Sequence, residues 1–371
     1  MTLRRSLILG GGAAAIVGAG TVQALDREVG SLDAYTVAVA GMRAAWKRTS
    51  EVDELIRYAT LAPSGHNTQP WIFRVTDHRI EILPDFARRT PAVDPDDHHL
   101  FVSLGCAAET LALASAAAGR PGEIRFEPAG GGSVVFESIP AAASRSALVD
   151  AIPRRQSTRG EYDGRAVGAA DLRALATAAA VPGVELVLIT DRPGKGRIRD
   201  LVIEGNTAQM ADAAFLRELR SWMRFSPREA IRTGDGLFSA TTGNPILPQW
   251  LGKRVFDLAF RSAAENDKYS RQVASSAGLA VFVGQSTDPQ HWVSVGRAAQ
   301  RFALQATALG LKTAFLNPLV EVPRTRLELA ELVGMKGQRP DLMLRFGTGP
   351  ALPYSARRPI RQIMSGATPH A

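Results

Sequence analysis

Ten consecutive residues, Ala62-Pro63-Ser64-Gly65-His66-Asn67-Thr68-Gln69-Pro70-Trp71, combine small, hydroxyl and amide side chains. Such a loop can lay backbone and short polar groups against a flat polar ligand, and its Pro-Ser-Gly start reads as a turn. A second set, Arg155, Ser157 and Arg159, alternates along the chain. Guanidinium groups offer planar, paired donors at fixed charge, which suits phosphate. A third set is the run Phe346-Gly347-Thr348-Gly349-Pro350 with Arg357-Arg358-Pro359-Ile360 downstream. The cluster Asp94, Asp96, Asp97, His98 and His99 has metal-ligand residue types. Adjacent His and Asp on one short turn rarely converge on a single ion, and acids are common at helix N-termini, so no metal is expected.

The elements around these sets repeat. Val52, Leu55, Ile56 and Ala59 have helical spacing, and Trp71–Val75 reads as a strand. Leu55, Ala59-Thr60 and Ala62 recur as Leu172, Ala176-Thr177 and Ala179, each followed by a strand ending in Thr-Asp, at Thr76-Asp77 and Thr190-Asp191. Ser103-Leu104-Gly105 through Leu113 recurs as Ser294-Val295-Gly296 through Leu304, and Gly119 recurs as Gly310. Both stretches read as helices with small residues on the packing face, stopped by glycine. The chain is therefore two related halves: 45–150, and 151–371 with an insertion at 204–260. The halves differ at the ligand loop. Where the first has Pro63–Trp71, the second has only Ala180-Val181-Pro182-Gly183-Val184. Conversely, Arg155, Ser157 and Arg159 face a first-half counterpart, Trp46-Lys47-Arg48-Thr49-Ser50, whose spacing is broken.

Composition narrows the function. Charged residues at 22% and hydrophobic residues at 45% are ordinary for a folded chain. The net charge of +8 comes without blocks of like charge, which argues against a nucleic-acid track and is compatible with an anionic small ligand. A lone Cys106 excludes an intrachain disulfide and a cysteine metal cluster. Residues 1–25 open with Arg4-Arg5, continue with an uncharged Gly/Ala-rich stretch from Leu7 to Leu25 and include Val22-Gln23-Ala24. They resemble a twin-arginine export signal, which implies export machinery as a partner and an extracytoplasmic location; without export the location is cytoplasmic. The alternative is an uncleaved anchor, since the uncharged stretch nearly reaches the ~20 residues of a membrane helix, although its glycines weaken that reading. Beyond residue 25 no run is read as a membrane span.

The Pro-Ser-x-x-Asn-x-Gln-Pro-Trp loop, the Arg-x-Ser-x-Arg element and the C-terminal Arg-x-Pro together resemble the FMN-dependent nitroreductase family, from about Asp53 to Ile360. Among fused relatives the pattern is similar to the Acg-like homologues. The resemblance implies an α+β fold in which helices flank a mixed sheet. It also implies a single-chain pseudo-dimer that functions as a monomer. One FMN would lie between the halves, on Pro63, Ser64, Gly65, Asn67 and Gln69 from one side and Arg155, Ser157 and Arg159 from the other. Asn317 and Pro318 would pass the reactive edge, and Arg357 or Arg358 would clamp the phosphate. NAD(P)H would serve as donor and a nitroaromatic or quinone as the small-molecule acceptor. Flavin chemistry needs no catalytic side chain. The alternative reading is a protein that sequesters FMN with little turnover, under a lid formed by 204–260.

Overall fold

The computed structural model describes residues 28–44 and 51–365. The export-signal reading of 1–25 and the stretch Trp46–Ser50 lie outside the described residues. Helices α1 (Leu32–Met42) and α2 (Val52–Ala59) come first. Leu55, Ile56 and Ala59 of α2 are buried, as their spacing predicts. The first half continues through β1 (Trp71–Thr76), β2 (Arg79–Pro84), α3 (His98–Ala117), β3 (Gly122–Glu127) and β4 (Ser133–Ser138). Two helices, α4 (Ala147–Ala151) and α5 (Ala169–Ala179), lead to β5 (Val184–Ile189). There follow α6 (Arg192–Ala211), α7 (Ala213–Trp222), β6 (Met223–Arg224), α8 (Pro227–Thr233), β7 (Leu237–Phe238), α9 (Gln249–Ala259) and α10 (Ser262–Ala274). The chain closes with β8 (Gly278–Gly284), α11 (Pro289–Ala308), β9 (Lys312–Phe315), α12 (Pro318–Glu321), α13 (Pro323–Leu332) and β10 (Pro340–Gly347).

The two main sheets have the same topology. Their strand orders are β1-β2-β4-β3 and β5-β8-β10-β9, antiparallel throughout. β1 therefore corresponds to β5, β2 to β8, β3 to β9 and β4 to β10, with α3 and α11 in equivalent places. Each sheet gains one parallel bridge at an edge strand, Phe73 with Met364 and Ser157 with Thr313. The C-terminal segment thus pairs with the first half's sheet, and the link between the halves pairs with the second's. The fold is α+β, and its mixed character comes from these edges.

The extra stretch of the second half is wider than 204–260. A two-residue turn, Asp77-His78, joins β1 to β2, whereas α6 through α10, residues 192–274, join β5 to β8. Asp191 caps α6 by accepting the Gly194 N–H, and the helix runs unbroken past 204. Aromatic and turn clusters mark only the middle of the insertion; its flanking helices carry neither signal. Those helices change the second sheet. In β8 every residue is buried, because alternate side chains enter two cores. Ala280 and Phe282 join the central core, while Leu279, Val281 and Val283 pack with Ile198 and Val202 of α6 and Val273 of α10.

By length and composition α3 could cross a membrane, unlike the reading from sequence, but most of it is buried inside the fold. It packs against α11 at the centre. Glu109 on α3 takes Arg297 at 2.9 Å and Arg301 at 2.7 Å from α11, and Gln300 donates to Thr110.

Candidate functional site

The Pro-Ser loop is held in an uncommon backbone shape. His66, Asn67 and Gln69 have positive φ, at 47°, 55° and 53°, a region that side chains other than glycine enter rarely and asparagine most readily. The loop keeps this shape because several partners fix it. Ser64 Oγ accepts the Gln69 N–H at 3.0 Å. The Gly236 N–H donates to Asn67 O, and Asn67 Nδ2 donates to Gly236 O and Ala356 O. Gln69 Nε2 donates to Gly234 O at 2.8 Å, while its Oε1 accepts the Arg358 N–H. Gly234 must be glycine: its φ is +66°, and a Cβ there would stand 2.7 Å from Arg357 O. Asp235 pairs with Arg224 and Arg88, and Arg88 Nε donates to Thr68 O. The insertion and the C-terminal segment therefore clamp the loop from both sides.

Beside the loop lies a small cavity of about 40 Å³ lined by Arg43, Ser64, Asn67, Arg155, Ser157, Arg159 and Arg357. Three of these arginines are nearly sealed from solvent, Arg43 at 8%, Arg155 at 3% and Arg357 at 5% exposed. Their hydrogen bonds go to neutral acceptors. Arg43 donates to Pro153 O and Arg155 O and stacks on Tyr354. Arg155 donates to Leu61 O. Arg357 donates to Thr60 O, Leu61 O and Ala62 O at the end of α2, and to Asn67 Oδ1. No carboxylate reaches Arg43, Arg155, Arg159 or Arg357 among the described residues. Nε of both Arg43 and Arg155 is buried without a partner. Burial first, and then Arg155, push Arg43 down to about 9. Burial pushes Arg155 to about 10. Arg357 falls well below its ordinary value through burial and then the charges of Arg43 and Arg155.

The small cavity adjoins a large one of about 420 Å³, and both are lined by Pro63, Ser64, Arg159, Leu237 and Phe315. That volume is typical of small-molecule and cofactor sites. Gly65, His66, His99, Asn317, Pro318 and Glu321 form part of its wall, and Phe215, Met223, Phe225, Phe256 and Phe260 of the insertion form the apolar part. Burial, followed by Arg159 and His99, lowers His66 to about 4, so this imidazole is neutral near pH 7. Burial raises the Glu321 carboxyl; its Oε2 accepts Gln209 Nε2 at 2.6 Å, and Oε1 lies 3.6 Å from His99 Nδ1.

Of the residues expected from sequence, Pro63, Ser64, Gly65, Asn67, Arg155, Ser157, Arg159, Asn317, Pro318 and Arg357 line one cavity or both. Gln69 and Arg358 line neither; both anchor the loop, Arg358 donating to Gln69 O and lying 3.6 Å from Asp85. Asn317 Oδ1 also accepts the Met343 N–H. Arg43 was missed, because it precedes Asp53, where the resemblance begins. Asp94, His98 and His99 do come together, but both Asp94 oxygens accept backbone N–H groups of α3, from His99 and Leu100. Helix capping accounts for that carboxylate.

No family model matches the chain. It is 28% identical over 338 residues to "Putative NAD(P)H nitroreductase Rv3131" of Mycobacterium tuberculosis, covering 88% of this chain and 94% of the relative. It is 24% identical over 329 residues to "Putative NAD(P)H nitroreductase acg" of the same organism, covering 85% and 95%. Similar solved structures include the FMN-dependent nitroreductase NfnB from Mycobacterium smegmatis in complex with NADPH, at 12% identity and TM-score 0.36, covering 55% of this chain and 87% of that one. Another is a nitroreductase with bound FMN from Desulfitobacterium hafniense, at 13% identity and TM-score 0.36, covering 58% and 95%. Along most of its length, then, the chain is related to proteins named as NAD(P)H nitroreductases, Acg among them, as the Pro-Ser loop and the arginine elements had indicated.

Proposed function

We propose that this protein is an FMN-dependent oxidoreductase of nitroreductase type. It reduces a nitroaromatic or quinone-type acceptor by two electrons, with NAD(P)H as donor and one FMN between the halves. The observation that carries this reading is the buried trio Arg43, Arg155 and Arg357, which has no carboxylate partner among the described residues and lines a small cavity adjoining a large, partly apolar one. Burying a cation without a counter-charge costs several kcal/mol per ion. An anionic ligand offsets that cost, and the adjoining cavity calls for one with a phosphate head and a flat, largely apolar body.

FMN fits the residues present. Arg43, Arg155, Arg357 and Ser157 would hold its phosphate. Pro63, Ser64, Gly65, Asn317 and Pro318 would meet its ring. A bound flavin supplies hydride transfer, so the protein's part is binding, orientation and electrostatics. The Arg159 guanidinium shares no ion pair among the described residues and borders both cavities; it favours negative charge there. The insertion's aromatic side chains give the large cavity an apolar wall.

The insertion also supports a second reading, in which the protein sequesters FMN and turns over slowly. Phe225, Phe256 and Phe260 wall the space that a nicotinamide must enter. Export by a twin-arginine signal and a monomeric state are part of the proposal. The test is to purify the protein, measure flavin absorbance, and add NADPH without oxygen. Flavin that bleaches and then reduces a quinone supports the oxidoreductase; flavin that bleaches only with dithionite supports sequestration; no flavin after reconstitution removes both.

A further inference from the structure

The described structure exposes eight large hydrophobic side chains, and three of them, Trp250 (58%), Val255 (39%) and Leu258 (72%), lie on α9. Scattered surface hydrophobics need no explanation, whereas a cluster marks an interaction surface. Trp250, Arg254 and Leu258 follow one another at four-residue spacing and so share a face, with Lys253 and Val255 beside them. The opposite side of α9, Gly252 and Phe256, is buried and lines the large cavity. Val255 and Ala259 are at once exposed and cavity-lining, so the cavity comes to the surface along this helix.

Two further observations identify what covers the face. The first is charge. Lys253 and Arg254 are exposed and have no carboxylate partner among the described residues, while the helix's acidic residue, Asp257, is taken by Arg220 at 2.6 Å. A tryptophan, aliphatic side chains and unpaired cations on one exposed helix face are the chemistry of an anionic lipid interface. The second is where the chain arrives. Trp250 Nε1 donates to Glu28 Oε2 at 3.2 Å, and the uncharged stretch Leu7–Leu25 ends only three residues before Glu28. The described chain therefore begins at this face, and in sequence an uncharged stretch of near membrane-spanning length lies just before it.

We propose that the exposed face of α9 docks on the surface of an anionic lipid bilayer, with the mouth of the large cavity turned towards the lipid. The contact is independent of flavin, so its failure and that of the proposed activity are separable.

The full chain is mixed with vesicles of phosphatidylcholine, with or without phosphatidylglycerol, in which the phosphatidylcholine acyl chains are brominated or plain. Bromine quenches tryptophan only on contact. In vesicles containing phosphatidylglycerol the protein is expected to lose a component of emission that the Trp250→Phe variant does not lose. Lys253→Gln with Arg254→Gln, which leaves the buried side of α9 unchanged, should abolish that loss. Equal quenching of the protein and Trp250→Phe overturns the proposal, because the N-terminal segment alone would then be holding the vesicle. A doubled mass in solution that falls to the monomer in Leu258→Glu also overturns it, since a second copy would then cover the face.

Discussion

Gly105 on α3 and Gly296 on α11 each lie against a carbonyl of the other's helix. A Cβ on Gly105 would stand 2.1 Å from Val293 O, and one on Gly296 would stand 2.0 Å from Val102 O. Gly105 and Gly296 are separated in sequence by the same interval as Val102 and Val293, so the contact is reciprocal, as at the two-fold interface of a symmetric dimer. Inside one chain this contact joins two copies of the same unit. Either glycine replaced by alanine should cost about 1–3 kcal/mol or more through overpacking. The double variant should cost less than the sum, because one separation of the helices relieves both clashes. Urea unfolding measures this; an unchanged midpoint for both single variants would show that the helices do not meet as described.

The ligand loop occurs once in the repeat, on Pro63–Trp71, and its second-half counterpart lacks the serine, asparagine and glutamine. One FMN per chain is therefore expected, in a protein that stays monomeric. Released flavin counted against protein, with light scattering on the same sample, checks both. Two equivalents of flavin, or an obligate dimer, would contradict the single complete site.

Arg155→Ala should weaken FMN by about 1.5–3 kcal/mol, the worth of a charged hydrogen bond, or about ten- to a hundredfold in affinity. His66→Ala, which removes a neutral imidazole, should cost less. In the flavin-free protein the order reverses. Arg155 is then a buried cation with no counter-charge among the described residues, so Arg155→Met should leave the thermal midpoint unchanged or raise it. A variant that both keeps its flavin affinity and melts earlier would make Arg155 a structural residue.

The His66 pKa lies at about 4 in the fold and near 6.5 in the unfolded chain. A depressed histidine contributes stability that is fully present above about 6.5 and is lost as pH falls towards 4, because the unfolded state takes up the proton first. His98, also held well below its ordinary value, principally by burial and then by His99, acts in the same direction. Asn tolerates the positive φ of residue 66, so His66→Asn should remove part of the acid loss. Urea midpoints at pH 7.5 and 5 should differ less in the variant; an equal difference would mean that His66 does not titrate through folding.

Sequence and structure agree where local chemistry decides. The Pro-Ser loop, the paired central helices and the arginine element were legible because each needs particular residue types at fixed spacing. The repeat then implied two equivalent sheets. Three things were not legible. Arg43 reaches the small cavity through tertiary packing on Tyr354, which no spacing encodes. Gln69 is chemically suited to a ligand, yet its amide is used on Gly234 O and the Arg358 N–H, a choice fixed by where the insertion lies. The limits of that insertion were hidden because its outer helices look like any other helix; only the missing hairpin between β5 and β8 reveals them.

On the proposed function, the insertion decides whether the large cavity is an active site or a closed store. Phe256 stacks on Phe260 with ring centroids 4.4 Å apart and meets Phe225 edge-on at 6.5 Å, and all three wall the large cavity. Gly252 is in tight contact with Phe225, where a Cβ would stand 2.1 Å from Cγ, so this cluster has little freedom to open by side-chain rotation. Reduction by NADPH should therefore be slow beside reduction by dithionite, which is small enough to pass. Phe256→Ala removes the central ring of the cluster. It should cost about 3–5 kcal/mol of stability and raise the NADPH rate severalfold, leaving the dithionite rate unchanged. Stopped-flow bleaching of the flavin reads both rates on one sample. If the unaltered protein reacts with NADPH as fast as the variant, the aromatic wall is no barrier, and the insertion serves to clamp the Pro-Ser loop through Gly234, Asp235 and Gly236 rather than to close the cavity.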